Sequence, residues 1–174
     1  MAELLDIVNE KDEVIGQIER DDINKAKHVF RMVFIGFYTP DRHIILQLRS
    51  MTKKYNPGKL TSTVSGHVES GHTYDETAIK EGFEETGVVI DPSKLENVGV
   101  MYGGDAMRAV YAYPFDGVID DLRVEENDGA GFVAMSIDEL RKELAENPDK
   151  FTPFFATEAG AKLVEFIDNV RIRS

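Results

Sequence analysis

The 174-residue chain contains no cysteine. That excludes a disulfide framework and thiol chemistry of any kind. Basic residues are scarce beside acidic ones: 20 Lys and Arg stand against 32 Asp and Glu, a formal net charge of −12. A surface of that sign works against general nucleic-acid binding, which depends on neutralising phosphates, and against anionic membranes. Apolar runs of membrane-spanning length are also missing. The opening Met1-Ala2-Glu3-Leu4 has neither a basic region nor a long apolar stretch, so no secretory signal is read there. A cytoplasmic location is the expectation by elimination. Four histidines without paired spacing do not make a zinc site. What remains is an ordinary globular balance, 42% hydrophobic and 30% charged, in a chain long enough for one well-buried core. One domain over residues 1–174 is expected, because no repeat, low-complexity segment or linker divides it.

Patterning predicts alternating strands and helices. Strands are expected at Leu4–Val8, Val14–Glu19, Val29–Tyr38, His43–Arg49, Thr61–Ser65, Val98–Tyr102, Arg108–Phe115 and Phe132–Met135. Turns are read at Thr39-Pro40-Asp41, Gly103-Gly104 and Asn127-Asp128-Gly129, and a loop at Ser50–Leu60. Thr73 with Glu76 forms a capping box for a helix from Tyr74 that stops at Gly87. Ser136 with Glu139 caps a second helix to about Ala145, and a last helix is expected from Pro153 to Val170. Such an order suggests an α/β layered domain.

The first of these helices carries Glu81, Glu84 and Glu85 at i, i+3 and i+4. Like charges so close repel, which no stability argument favours. A hard divalent cation removes the conflict, since Mg²⁺ takes oxygen ligands and shares them with substrate phosphates. The helix is expected to bury Ala78, Ile79, Gly82, Phe83 and Thr86 and to present the three carboxylates on the opposite side. The bland alternative is a solvated acidic face, the usual meaning of a charge run. Gly82 is unexpected there, because glycine within a helix costs about 1 kcal/mol relative to alanine; close packing would account for it.

Gly66, Glu81, Glu84-Glu85, Gly87 and Val88 stand at the spacings of the Nudix signature: Gly, five residues, Glu, seven residues, Arg-Glu, an apolar residue, one residue, Glu-Glu, one residue, Gly, apolar. The chain thus resembles the Nudix hydrolases. Three positions depart: His72 stands for the first Glu, Lys80 for Arg, and Gly82 for the apolar residue. In the family that Glu and Arg help to orient the loop and the metal ligands. Here the usual pair cannot form, and Glu69, Asp75 and Glu76 are candidates to take over. Restoring the pair by His72→Glu with Lys80→Arg is expected to raise catalytic efficiency or metal affinity. Leu5-Asp6-Ile7-Val8-Asn9-Glu10 with Val14-Ile15-Gly16, then His28 to Arg49 and Phe132 to Leu140, resemble the isopentenyl-diphosphate-isomerase-like branch. Only the box is specific.

The resemblance implies an α/β/α sandwich around a mixed β-sheet, with the glutamate helix against one face. It implies hydrolysis of a diphosphate linkage in a nucleotide or nucleoside-diphosphate-like small molecule, with Mg²⁺ or Mn²⁺ as cofactor. Glu81, Glu84 and Glu85 become catalytic residues and metal ligands, and the backbone carbonyl of Ser65 completes the shell. Glu125, Glu126 and Asp128 lie where many Nudix enzymes place a further carboxylate. His67 is expected to orient the loop rather than bind metal. Arg31, Arg49 and Lys59 are candidate substrate contacts, with Lys53 and Lys54 nearby; a solvated loop is the equal alternative for the loop cations. A homodimer is compatible with the resemblance. ADP-sugar hydrolases carry a proline shortly after the box where this chain has Gly103-Gly104-Asp105, which lowers ADP-ribose among the substrates. Isomerases of the branch need a cysteine that this chain lacks, so hydrolysis is preferred to isomerisation. A binding or regulatory module that has lost the chemistry is the other alternative.

Overall fold

In the computed structural model, residues 3–124 and 129–171 are described. The spine is β3 (Phe30–Tyr38). It lies parallel to β8 (Ala106–Pro114) along its whole length, from Phe30↔Ala106 to Tyr38↔Pro114. A strand covered on both faces must be apolar at every position, and β3 nearly is. Val33, Ile35 and Phe37 enter one core with Ala78 and Ile90, while Phe34 and Tyr38 enter a second with Leu140, Leu163 and Ile167. The helix α1 (Tyr74–Thr86) lies on the first side, and α2 (Ile137–Glu146) and α3 (Glu158–Asn169) lie on the second. The result is the expected α/β/α sandwich around a mixed sheet.

The remaining strands extend that sheet. A hairpin of β1 (Leu4–Val8) and β2 (Val14–Glu19) joins β3 through Ile7↔Phe30. On the opposite flank β4 (His43–Arg49) meets β3 only at Phe37↔Ile45 and Tyr38↔Ile44. The two strands then diverge. The chain fills the gap with two short strands: β5 (Leu60–Thr61) pairs β4, and β6 (Val64–His67) pairs β3. This differs from the single strand expected over Thr61–Ser65. Between the pieces, the fully buried Thr63 hydroxyl accepts from Phe37 N at 2.8 Å and donates to the Ile45 carbonyl. One side chain thereby satisfies backbone groups that the parting strands leave behind. Beyond α1, β7 (Glu96–Tyr102) pairs β8 antiparallel, and β9 (Gly129–Ser136) pairs β4.

The last helix also differs from expectation. A short 3₁₀ turn, Pro153–Ala156, precedes α3, and Thr157 separates them with extended backbone and a hydroxyl that accepts from Gly160 N. Such a hydroxyl meets one of the amides that a helix start leaves without a partner. The Asn127-Asp128 part of the expected turn lies outside the described residues. Among the described residues no helix is long and apolar enough to cross a membrane.

Candidate active site

The helix α1 begins and ends as its capping signals require. Thr73 accepts from Glu76 N, and the Glu76 carboxylate accepts from Thr73 N. Gly87 closes the helix at φ 75°, a left-handed conformation that glycine adopts without a Cβ penalty. Arg123 donates to the Phe83 and Glu84 carbonyls and lies 5.1 Å from the Phe83 ring, placing a cation at the negative end of the helix.

The rotation of the helix differs from the expected one. Phe83 is 47% exposed, whereas Glu85 is only 7% exposed. Glu85 follows Ala78 by two turns and so returns to the same side. The buried stripe is Ala78, Gly82 and Glu85, flanked by Thr77 and Thr86. Gly82 is what lets this stripe approach: a Cβ there would lie 2.6 Å from Ile90 Cγ1. The propensity cost of glycine is thus matched by contact with the core. The three carboxylates are not equivalent, since Glu84 is exposed, Glu81 half-buried and Glu85 buried.

A buried carboxylate requires polar partners. Gln47, on β4 and itself 3% exposed, donates from Nε2 to Glu85 Oε2 at 3.2 Å. Two residues on, the same strand face carries Arg49. Its guanidinium donates to the Tyr55 carbonyl from Nε and Nη2, at 3.3 and 2.9 Å. Burial pushes the Arg49 pKa down, and the negative charge of Glu85 opposes that shift. Sequence reasoning missed Gln47. Its signal was a polar residue set within the apolar run Ile44-Ile45-Leu46-Gln47-Leu48.

Glu81 packs against β6, one of the two short strands that fill the gap. A Cβ on Gly66 of β6 would lie 2.5 Å from Glu81 Cδ and 2.8 Å from Oε1. The box glycine is therefore the surface on which the Glu81 carboxylate rests, one residue after Ser65.

The expected substrate cations separate. Arg49 is near enough to Glu85 to feel its charge, and the Lys59 carbonyl accepts from Arg49 N. Arg31 sits elsewhere, at the opposite end of α1. It donates to Asp12 Oδ1 from Nε and to the Asp12 carbonyl from Nη2, both at 2.7 Å, and its guanidinium lies over the Tyr74 ring at 5.7 Å. Burial works to lower its pKa, but the Asp12 contacts outweigh it and the pKa is raised. Eleven residues separate Tyr74 from Glu85, about 16 Å along a helix, so Arg31 braces the helix start rather than meeting Glu85. Glu125, Glu126 and Asp128 lie outside the described residues.

The departures from the box have local answers. Lys80 Nζ meets Glu69 Oε1 at 2.5 Å, a bond that lowers the Glu69 pKa and raises that of Lys80. Of the three candidates, Glu69 therefore takes the basic partner. Glu76 is used by the capping box, and Asp75 accepts from the Tyr111 hydroxyl. His67 packs 5.3 Å from the Phe30 ring. Burial, with the positive charges of Arg20 and Lys25, pushes its pKa down to about 4, so it is neutral near pH 7.

Carboxylates with a nearby main-chain carbonyl form an all-oxygen donor set, which suits Mg²⁺ or Mn²⁺. Among the described residues no three His, Cys, Asp or Glu side chains converge as a ready metal cage. Mg²⁺ does not need one, because it binds through one or two carboxylates and retains water or phosphate oxygens. The cradle that Gly66 provides for Glu81, and the amide that orients Glu85, fit that mode.

The NUDIX domain family profile matches residues 28–155. An uncharacterized Nudix hydrolase of Streptomyces coelicolor, SCO1686, is 33% identical over 135 residues, 75% of this chain and 74% of the relative. The uncharacterized Nudix hydrolase YfcD of Escherichia coli K12 is 30% identical over 152 residues, 87% of this chain and 82% of the relative. Among solved structures, DR0079 from Deinococcus radiodurans superposes with a TM-score of 0.76 at 26% identity, covering 95% of this chain and 98% of that one. With the spaced glutamates on α1 and the glycine cradle beneath them, these likenesses make the chain a member of the Nudix hydrolase family.

Proposed function

We propose that this protein is a Mg²⁺- or Mn²⁺-dependent hydrolase that cleaves a diphosphate linkage in a nucleotide or other nucleoside-diphosphate-like small molecule. The observation that carries the reading is the buried Glu85 carboxylate held by Gln47, with Arg49 two residues along the same strand face. Acid and base at one end of a helix suit a phosphate chain bound through a cation. Glu81, Glu84, Glu85 and the Ser65 carbonyl would hold the metal, which polarises phosphoryl oxygens and lowers the pKa of bound water. Arg49 would orient the phosphates, with Lys59 assisting from the same loop. Gln47 keeps Glu85 turned toward the site. One of the three carboxylates, or one of Glu125, Glu126 and Asp128, takes the proton of the attacking water. Positioning supplies most of the remaining rate.

The test is a screen of nucleoside di- and triphosphates, nucleotide conjugates including ADP-ribose, and prenyl diphosphates with each metal. Products are read by phosphorus NMR. Turnover that chelator abolishes is expected. No turnover of any compound with either metal, together with tight nucleotide binding, would establish the second reading, a nucleotide-binding module. That reading is favoured by the departures from the box at His72, Lys80 and Gly82. The isopentenyl-diphosphate-isomerase-like branch is proposed as ancestry only. Isopentenyl diphosphate in the same screen should yield no dimethylallyl diphosphate, because no cysteine is present for the proton transfer. Sedimentation equilibrium of the same preparation decides between monomer and homodimer.

A further inference from the structure

Residues 66–73 connect the glycine under Glu81 to the start of α1. This loop is held from outside the box, by the β1–β2 hairpin. Leu5 bridges Glu69, and Ser70 N donates to the Leu4 carbonyl at 2.7 Å. Asp6, only 8% exposed, accepts from the Ser70 hydroxyl at 2.7 Å and from Gln17 Nε2 at 3.2 Å. Gln17 Nε2 also donates to Ser70 Oγ at 2.6 Å. A second contact set lies at the hairpin turn, where Asp12 has φ 64°. Its Oδ1 and its carbonyl accept from Arg31, and its Oδ2 accepts from the Tyr74 hydroxyl at 2.9 Å. Tyr74 is the first residue of α1. Aspartate adopts left-handed backbone in turns at small cost, and here its contacts fix it there. All three acceptor atoms of Asp12 are engaged.

We propose that the β1–β2 hairpin is a clamp that sets the geometry of the metal site, with Asp6, Gln17 and Asp12 as positioning residues acting through Ser70, Arg31 and Tyr74. This rests on the metal-assisted hydrolase reading above. Glu81 meets Gly66 from across the loop, so the two stay in contact only while loop and helix keep their relative position. The hairpin lies before residue 28, where the family match begins, yet it touches the middle of the loop at Glu69 and Ser70 and the first residue of α1 at Tyr74. Glu69–Lys80 ties α1 back to the same loop, and Arg31 links the two hairpin contact sets, its Nη1 lying 3.7 Å from Asp6 Oδ2. Direct partners of metal ligands typically contribute 10- to 100-fold in metal affinity or activity, and the hairpin, acting one contact further out, is placed at the lower end of that range.

The test uses the full chain with Ser70→Ala, Ser70→Thr and Asp12→Asn. Mn²⁺ affinity is measured by paramagnetic resonance without substrate, and amide exchange of residues 66–73 by mass spectrometry. Ser70→Ala and Asp12→Asn should each weaken Mn²⁺ binding about 10-fold and speed exchange in the loop. Ser70→Thr, which keeps the hydroxyl, should restore both. In turnover, the half-saturating metal concentration should rise more than kcat falls. A merely structural role would lower the thermal transition yet leave Mn²⁺ affinity of the folded protein unchanged, and that result overturns the proposal. If one variant does not fold, the other decides. Wild-type protein that binds no Mn²⁺ and turns over nothing defeats the hydrolase reading instead; the clamp is then judged by exchange alone, and unchanged exchange defeats it.

Discussion

Gly66 and Glu81 occupy one space: a Cβ on the glycine would come within 2.5 Å of the glutamate Cδ. The atoms that must give way are the end of a flexible side chain rather than backbone. Gly66→Ala should therefore move the Glu81 carboxylate while costing little stability. The expected outcome is a thermal transition within a few degrees of wild type and a large loss of metal-dependent turnover. Calorimetry beside a phosphate-release assay checks it; unimpaired turnover would remove Glu81 from the site.

Glu85→Gln should abolish turnover and leave the thermal transition unchanged or raised, since a buried charge and its repulsion by Glu81 are both removed. Gln47→Leu should act in the other direction on stability. It leaves the Glu85 carboxylate without the amide, at a cost of about 1–3 kcal/mol, and lowers activity roughly 10- to 100-fold. Urea denaturation separates the two variants. A fully active Glu85→Gln protein would sink the site assignment.

The Glu69–Lys80 bond changes what the departures imply. Lys80→Arg alone should keep that pair and leave activity near wild type. His72→Glu brings a new carboxylate toward Glu69 and Glu76, whose pKa values the His72 charge now helps to lower. The double change His72→Glu with Lys80→Arg should therefore fail to raise catalytic efficiency, reversing what the box alone suggests. Glu69→Gln should weaken metal affinity. Steady-state kinetics across a metal titration tests all three, and a gain in the double variant would show that Glu69 is an inadequate substitute.

His67 predicts a limb in the stability–pH curve of the metal-free protein. Its folded pKa of about 4 lies below the ordinary value of 6.5, so the unfolded chain binds the proton more readily. Stability should fall as pH drops from about 6.5 to about 4, by up to about 3 kcal/mol, and lose nothing further from this group below that. His67→Asn should flatten the limb in urea titrations run with chelator. An unchanged slope would show that His67 is hydrated.

The sequence by itself determined the elements whose causes are local. The Thr73 and Ser136 capping boxes set helix starts at Tyr74 and Ile137, because cap and capped amide lie three residues apart. Apolar runs located β3, β4 and β8, and the spaced glutamates with Gly66 identified the family. Tertiary structure decided the rest, because the partners are distant in the chain. Burial of Glu85 depends on Gln47, 38 residues away, and on how closely Gly82 lets α1 approach Ile90. The break at Ser62 and Thr63 follows from the divergence of β3 and β4, which no local propensity contains. Arg31 and Arg49 look alike as strand cations, but Asp12 engages one while the other meets the Tyr55 carbonyl and feels the charge of Glu85. Residue type declares that a charge must be satisfied; only the packed chain decides by whom.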